Sequence, residues 1–264
     1  DSLKDDAGRK LSNANKFPLE VKTDKYPPLA KFSGSFGIIE LEAEPLLPVT
    51  LRNLDKEIKA KVIKMTGEGG GFFSNLFGKK IKITPENILT WLRKVHKAER
   101  DKSIFAGDAN SNNFTIPKPN GEKAFEVVGI PLKEPGFFVV EIESEKLGNS
   151  LLEKKGKMYV PTSALVTNMA VHFKWGAESS VVWVTSLDKG EPVNGAKVSI
   201  RDCKNAVLAE GQTDASGIWK LGGIAQSKVP NCSYNSYDNG LLVIAEKEKD
   251  LSFVHSSWDN GIEN

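Results

Sequence analysis

The chain contains few of the residues from which catalytic and metal sites are built. It has only two cysteines and three histidines among 264 residues. Cys203 and Cys232 do not form a CxxC pair, which excludes a zinc ribbon and argues against a dithiol redox motif. His96, His172 and His255 are too widely separated for HxH or HExxH spacing. The sequence therefore predicts no metal, no cofactor and no catalytic residue.

Other signatures of function are also missing. The longest apolar runs, such as Val181–Val184 and Leu241–Ala245, are far shorter than the roughly 18 residues of a membrane-spanning helix. There is no GxSxG motif for a serine nucleophile. The glycine-rich stretch Gly67–Gly71 precedes Gly78-Lys79, but the spacing is too long for a phosphate-binding loop, and Lys80 stands where that loop needs a hydroxyl. We interpret the stretch as a surface loop.

Charge gives no evidence for a nucleic-acid partner. The 36 basic and 34 acidic residues leave a net charge of +2, without the strongly basic character of nucleic-acid-binding domains. The chain begins at Asp1 without a signal-peptide hydrophobic region, so we expect a removed signal or a segment of a longer polypeptide.

Short segments of alternating hydrophobicity separated by turn residues dominate the chain. They predict an all-β protein of two tandem immunoglobulin-like antiparallel β-sandwiches, the first with a helical insertion. We expect residues 1–36 to be a linker with one extended segment, 37–160 the first sandwich and 161–264 the second. The inserted helix is predicted near residues 84–100, with Thr84 as its cap and Pro85 as its first residue. Its apolar stripe comprises Ile88, Trp91, Leu92 and Val95.

Several polar clusters admit two interpretations each. Cys203 and Cys232 favour a disulfide in an oxidising compartment, with two buried free thiols as the alternative. The basic helix residues Arg93, Lys97 and Arg100 form either a solvated face or a surface for anionic lipid or an acidic partner.

The chain also contains pairs of acidic residues, an Asp-x-x-Gly motif and two glycosylation sequons. The paired carboxylates Glu141/Glu143 and Glu246/Glu248 are interpreted as solvent-facing strand positions rather than an acid/base pair. Asp214–Gly217 is interpreted as a turn rather than a calcium site. Asn113-Phe114-Thr115 and Asn231-Cys232-Ser233 fit the glycosylation sequon, which has meaning only in a eukaryotic secretory setting.

The order of these motifs resembles that of the macroglobulin-like domains of bacterial α2-macroglobulins, which are large cell-envelope protease traps. The matching stretches are 26–32, 36–40, 47–53, 134–142, 165–168, 183–185, 192–196, 213–217 and 256–263. Neither cysteine lies in the family's Cys-x-Glu-Gln thioester motif, and no bait segment is evident, so no functional residue is carried over.

The resemblance implies a structural, non-enzymatic segment of a broad-spectrum protease inhibitor. Its implied partners are the other domains of the same polypeptide and, through the full-length protein, target proteases. The implied location is the periplasm or cell envelope, with lipid anchoring of the full-length protein left open. The alternative is an immunoglobulin-like surface adhesin or binding module, for which Phe72, Phe73 and Phe77 offer exposed aromatic side chains.

Overall fold

The computed structural model describes residues 4–23, 26–66, 80–232 and 239–258. The glycine-rich stretch, the three phenylalanines at 72, 73 and 77, Ser233 and residues 259–263 lie outside this part of the chain. The first half contains the strands β1 Leu29–Phe32, β2 Phe36–Glu40, β3 Leu46–Arg52, β4 Glu57–Thr66, β5 Lys80–Lys82, β6 Asn112–Pro117, β7 Glu126–Pro131, β8 Gly136–Ser144 and β9 Met158–Thr167. Its helices are α1 Pro85–His96 and α2 Glu145–Leu151. The second half contains β10 Met169–Lys174, β11 Ser179–Ser186, β12 Lys197–Arg201, β13 Val207–Gln212, β14 Ile218–Gly222, β15 Leu242–Lys247 and β16 Asp250–His255.

Strands β1 to β9 form two sheets, which we call the first unit. The larger sheet has the order β2-β9-β8-β4-β5. Strand β5 pairs with residues 64–66 of β4, and β6 pairs with residues 57–62 of the same strand. The smaller sheet has the order β1-β3-β7. Most pairings are antiparallel, but β2 runs parallel to β9 and β5 runs parallel to β4. Alternate residues of the two sheets meet in one apolar core, which includes Leu51, Val62 and Val140.

Strands β10 to β16 form the second unit, again from two sheets. One has the order β10-β11-β14 and the other the order β13-β12-β15-β16, all antiparallel. Val182, Ile200 and Val243 lie in the core between them. The turn from Asp214 to Gly217 is as predicted, because the Asp214 carboxylate accepts the amides of Ser216 and Ile218, at 2.8 and 3.0 Å. The all-β prediction of sandwich-like units is therefore confirmed.

The inserted helix forms where the sequence predicts it. The Thr84 side chain accepts the amide of Asn87 at 3.2 Å, and Pro85 occupies the first turn. All four residues of the predicted apolar stripe are buried. The helix ends at His96, with Lys97 as its C-cap, so Arg100 lies beyond it. The second helix, α2, was not predicted, although Ser144 caps it through the amide of Leu147 at 3.2 Å.

The expected boundaries at residues 36 and 160 do not coincide with the ends of sheets. Strand β1 lies within the segment expected to be a linker, and it pairs with β3. Strand β9 crosses residue 161 and stays in the large sheet of the first unit up to Thr167. The change from one unit to the other therefore falls at Asn168, between β9 and β10.

Candidate functional site: the buried junction between the two units

A third apolar core lies between the large sheet of the first unit and the four-stranded sheet of the second. The first unit contributes alternate residues of β4, β8 and β9, such as Met65, Val139 and Leu165, together with the whole apolar stripe of α1. The second unit contributes Leu242, Ile244, Leu251 and Phe253. The helix thus packs between two sheets that belong to different units. We call this core and the residues around it the junction.

The junction uses the second face of strands that already fill another core. In β8, Phe138 and Val140 face the core of the first unit, whereas Phe137 and Val139 face the junction. In β15 the alternation repeats, with Val243 in the core of the second unit. The continuous apolar run Leu241–Ala245 is typical of strands that are buried on both faces, and it was the signal for this interface in the sequence.

Four aromatic rings meet at one end of the junction. The Phe36 ring stacks on Trp258 with centroids 4.9 Å apart, and it lies 5.4 Å from Phe253. Phe253 also packs edge-on against Phe137 at 5.9 Å. Phe36 and Phe137 come from the first unit, and Phe253 and Trp258 come from the second. Such aromatic pairs favour one relative orientation of the surfaces that carry them.

Only one residue, Asn168, connects the two units, and hydrogen bonds hold it against the second unit. The Asn168 amide donates to Asp250 Oδ2 at 2.8 Å, and its side-chain oxygen accepts the Asp188 amide at 3.0 Å. The next amide, that of Met169, donates to Thr167 Oγ1 at 3.0 Å. Burial raises the pKa of the Asp250 carboxyl above its ordinary value, while the hydrogen bonds from Asn168 and Thr167 act in the opposite direction. The connection is therefore short: Asn168 is anchored to the second unit, and the Met169–Thr167 bond spans the boundary between the units.

The disulfide region and the helix meet at a polar contact. The structure joins Cys203 to Cys232 by a disulfide, with their Cα atoms 6.1 Å apart. Arg93 on α1 donates from Nη2 to the Cys203 carbonyl at 3.0 Å. Arg93 is half-buried. The interpretation of Arg93, Lys97 and Arg100 as one solvated face is therefore wrong for Arg93, because the second unit covers it.

Glu141 also differs from its prediction as a solvent-facing residue. It lies on the central strand β8 and is buried, because the segment after α1 covers it. Its carboxylate accepts Ser103 Oγ at 2.5 Å and the Ile104 amide at 2.7 Å. Burial raises its pKa, and these two hydrogen bonds lower it. Glu143, two residues on, forms an ion pair with Lys157 at 2.7 Å and is not part of the same cluster.

The other carboxylate pair and the histidines are also dispersed. Glu246 is exposed at the end of β15, and Glu248 lies in the turn that follows. His172 packs against the Trp183 ring on the outer face of β10 and β11, with centroids 5.3 Å apart. His255 contacts Ser257 at 2.6 Å inside the second unit, and His96 is on the helix. The structure brings no two histidines together within its described ranges.

A polar cleft of about 620 Å³ opens at the N-terminal end of α1, against the turn between β15 and β16. Its lining mixes basic side chains, among them Lys82 and Lys249, with the acidic Glu246 and Asp250. Within residues 4–23, 26–66, 80–232 and 239–258, no group of three His, Cys, Asp or Glu side chains is arranged to hold a metal. None of the described helices is long and apolar enough to cross a membrane.

Comparison with known proteins gives a consistent result. Residues 166–264 match the family model described as the bacterial alpha-2-macroglobulin MG3 domain. An alpha-2-macroglobulin homolog from Nostoc sp. is 27% identical over 58% of this chain. The chain spans only 9% of the length of that protein. The resemblance to bacterial α2-macroglobulins is thereby confirmed.

Solved structures show that the fold is shared. The native α2-macroglobulin of Escherichia coli, in a crystal structure spanning domains NIE-MG1, superposes with a TM-score of 0.56 at 14% identity, covering 87% of this chain and 97% of that one. The trypsin-activated protein from the same organism gives a TM-score of 0.55 at 14% identity, over 87% of this chain and 14% of that one. At this identity the likeness is one of fold alone.

Proposed function

We propose that this chain is a frame segment of a bacterial α2-macroglobulin-like protease inhibitor, and that its two units are two domains that meet at Asn168. In this role the segment holds neighbouring domains at a fixed orientation while other parts of the polypeptide meet the attacking protease. The work of the segment is mechanical and involves no catalysis. Its direct partners are other domains of the same polypeptide, and it reaches target proteases only through the complete protein.

The observation that carries this proposal is the junction. Domains joined by flexible linkers and small polar contacts move relative to one another by default. Here a single residue connects the units, an apolar core is continuous across them, and α1 packs between their sheets. A large apolar interface with a short anchored connection favours one rigid body. A protease trap needs rigid bodies of this kind, because cleavage of one segment then moves both units together.

The resemblance also supports a location in the periplasm or cell envelope, where disulfides form. The Cys203–Cys232 disulfide is consistent with that compartment. Fractionation of cells that produce the complete protein tests the location directly.

The test of the frame role uses the complete polypeptide with three residues, Gly-Ser-Gly, inserted between Thr167 and Asn168. The insertion separates the units without touching any other domain. A trapped protease keeps its activity on a small peptide substrate and loses it on a large protein substrate. We expect the insertion to restore activity on the large substrate while the polypeptide is still cleaved by the protease.

A matched control places the same insertion between Lys154 and Lys155, which are exposed in the loop after α2. This variant should trap protease like the parent protein. If the junction insertion also leaves trapping intact, the frame role is wrong. An adhesin, the alternative function, would instead show surface-ligand binding by this chain that neither insertion affects.

A further inference from the structure

The outer face of the small sheet β1-β3-β7 carries apolar side chains that nothing covers in the described part of the chain. Strand β3 alternates, so that Leu47, Val49 and Leu51 face the core and the even-numbered residues face outward. Leu46 and Val127 on this outer face, and Phe125 immediately before β7, are 46% to 63% exposed. Gly129 lies on the same face beneath the Leu46 side chain, which leaves the surface flat there. Contiguous exposed apolar side chains of this kind are typical of interaction surfaces.

A second apolar row lies in the N-terminal segment, which we call the strap and define as Phe17–Lys22. Its residues belong to no helix or strand in the described ranges. Phe17, Leu19 and Val21 are separated by Pro18 and Glu20 and are 52% to 71% exposed. Alternation with period two places Leu19 and Val21 on one side of an extended segment, and Phe17 precedes them across a cis peptide bond to Pro18. The strap thus has the pattern of a half-buried strand without a covering partner.

The strap is tethered to the same face that lacks a cover. The Tyr26 ring lies against the Arg52 guanidinium, 5.1 Å from its carbon, and Arg52 is an outward-facing residue of β3. Asn53 donates its side-chain amide to the Tyr26 carbonyl, and Arg52 Nε donates to the Pro27 carbonyl at 3.2 Å. These contacts fix the chain at one end of the outer face, a few residues after the strap.

We propose that the strap folds onto the outer face of β1-β3-β7 and buries Phe17, Leu19 and Val21 against Leu46, Phe125 and Val127. The occupant is the chain's own N-terminal segment. The inference goes beyond the frame role and does not depend on it. The docked strap gives the first unit a third layer, and it fixes the direction in which the chain leaves that unit.

The dimensions of the two surfaces agree. Val21 is five positions before Tyr26, so an extended tether reaches at most about 17 Å from the anchor. The outer face from Thr50 to Leu46 is about 14 Å long, and the strap from Phe17 to Val21 is about 13 Å long. The tether therefore allows the strap to lie across the whole apolar part of the face. A short tether also favours this docking over binding by a second molecule, because it keeps the local concentration high.

Crosslinking of the intact chain tests the contact. We pair Leu19→Cys with Val127→Cys, oxidise mildly, and quantify the intrachain disulfide by mass spectrometry of non-reduced digests. We expect the crosslink to form at least roughly ten-fold faster than in two control pairs, because docking holds these two positions together. In the first control, Glu20→Cys replaces Leu19→Cys, and this position points to the opposite side of the strap. In the second, Asp55→Cys replaces Val127→Cys, at an exposed position near the tether but off the face.

Equal rates in all three pairs would mean that the strap moves freely, and they would overturn the proposal. Crosslinks found mainly between two molecules would also overturn it, because the occupant would then be a second copy. Sedimentation at two protein concentrations shows whether the crosslinked product is a monomer or a dimer.

Hydroxyl-radical footprinting gives a second test that needs no cysteine. We expect labelling of Phe125 to rise at least roughly two-fold when Phe17, Leu19 and Val21 are all changed to Ser, because the strap then has no apolar side to dock. The control variant changes Glu20 and Lys22 to Ser and should label like the parent chain. Unchanged labelling of Phe125 in the apolar variant would contradict docking, since the strap would not be covering that ring.

Discussion

The Asn168 amide donates a hydrogen bond of 2.8 Å to Asp250 Oδ2, and this bond ties the only residue between the units to the first residue of β16. Asp250 also accepts the amide of Leu251, at Oδ1. Because β16 contributes Leu251 and Phe253 to the junction core, the carboxylate links the connection to the interface that it serves.

Replacing Asp250 by Ala should therefore destabilise the chain. The half-buried Asn168 amide would lose its acceptor, and an unsatisfied buried group costs about 1–3 kcal/mol, which sets the upper range here. We expect a lower urea midpoint with an unchanged slope. Glu246→Ala is the control, because Glu246 is exposed four residues earlier on the neighbouring strand and should change stability by less than about 0.5 kcal/mol. If both variants lose the same free energy of unfolding, the Asp250 contact does not stabilise the chain more than an exposed glutamate does.

The pH dependence of stability should contain a contribution from Glu141. Its pKa in the folded chain is raised above the ordinary 4.5, chiefly by burial, so the folded state binds its proton more tightly than the unfolded state. The contribution of Glu141 to the free energy of unfolding then falls as pH rises from 4.5 to the folded pKa, and is constant above it.

The variant Glu141→Gln cannot take up this proton. The stability of the parent chain relative to the variant should therefore decrease with rising pH across that interval, as measured by urea unfolding at a series of pH values. The exposed Glu57→Gln is measured in parallel. A flat difference between parent and Glu141→Gln would contradict the raised pKa.

Phe253→Ala should weaken both units, because the ring is buried between Phe36 and Phe137. Truncation of a buried Phe costs about 3–5 kcal/mol. Hydrogen exchange of peptides from β8 and β11 should show lower protection in both. The control Phe138→Ala removes a ring of the same size that faces the core of the first unit, and should reduce protection mainly in β8. If Phe253→Ala lowers hydrogen-exchange protection in only one unit, the junction core does not couple the two units.

Arg93→Ala should also reduce stability, by about 1–3 kcal/mol, because a charged donor would be lost from the Cys203 carbonyl. The control is Arg100→Ala, which removes an exposed arginine just after the helix and should have little effect. The stabilities of the two variants are compared by thermal unfolding under the same conditions. A larger loss from Arg100 would restore the interpretation of a basic surface with its own role.

The disulfide can be tested chemically. We expect no reactive thiol in the unreduced chain under denaturing conditions. Changing Cys203 and Cys232 together to Ser should lower the free energy of unfolding by about 3–4 kcal/mol, the loop-entropy value for a sequence separation of 29. Two titratable thiols in the parent chain would show that the cysteines are free.

Much of the fold was predictable from local patterns. Thr84 and Pro85 mark the start of α1, and the alternation in Leu46–Arg52 marks β3, because each pattern reflects the immediate surroundings of those residues. Strand β9 was not predicted. Its N-terminal half, Met158–Pro161, lacks clear alternation, and its pairing with β2 brings together residues more than 120 positions apart.

The junction was harder to predict than either unit. Glu141 is on a strand of alternating pattern, which predicts solvent exposure, but a segment distant in sequence folds over it. Arg93 likewise has the spacing of a solvated helix face, and only the position of Cys203 shows otherwise. Glu141 is buried by a segment of its own unit and Arg93 by the second unit, and the local spacing around these two residues does not carry that information.

The parallel pairing of β2 with β9 also sets an order of events during synthesis. A ribosome makes Phe36–Glu40 well over a hundred residues before Ser163–Thr167, the stretch on which β2 pairs. The large sheet therefore keeps an open edge until nearly all of the first unit has emerged, and β10 follows after a single residue. Domains usually complete their folding in order from the N-terminus. In this chain the first unit finishes only as the second begins, so the nascent strand β2 needs protection from other chains for most of that time.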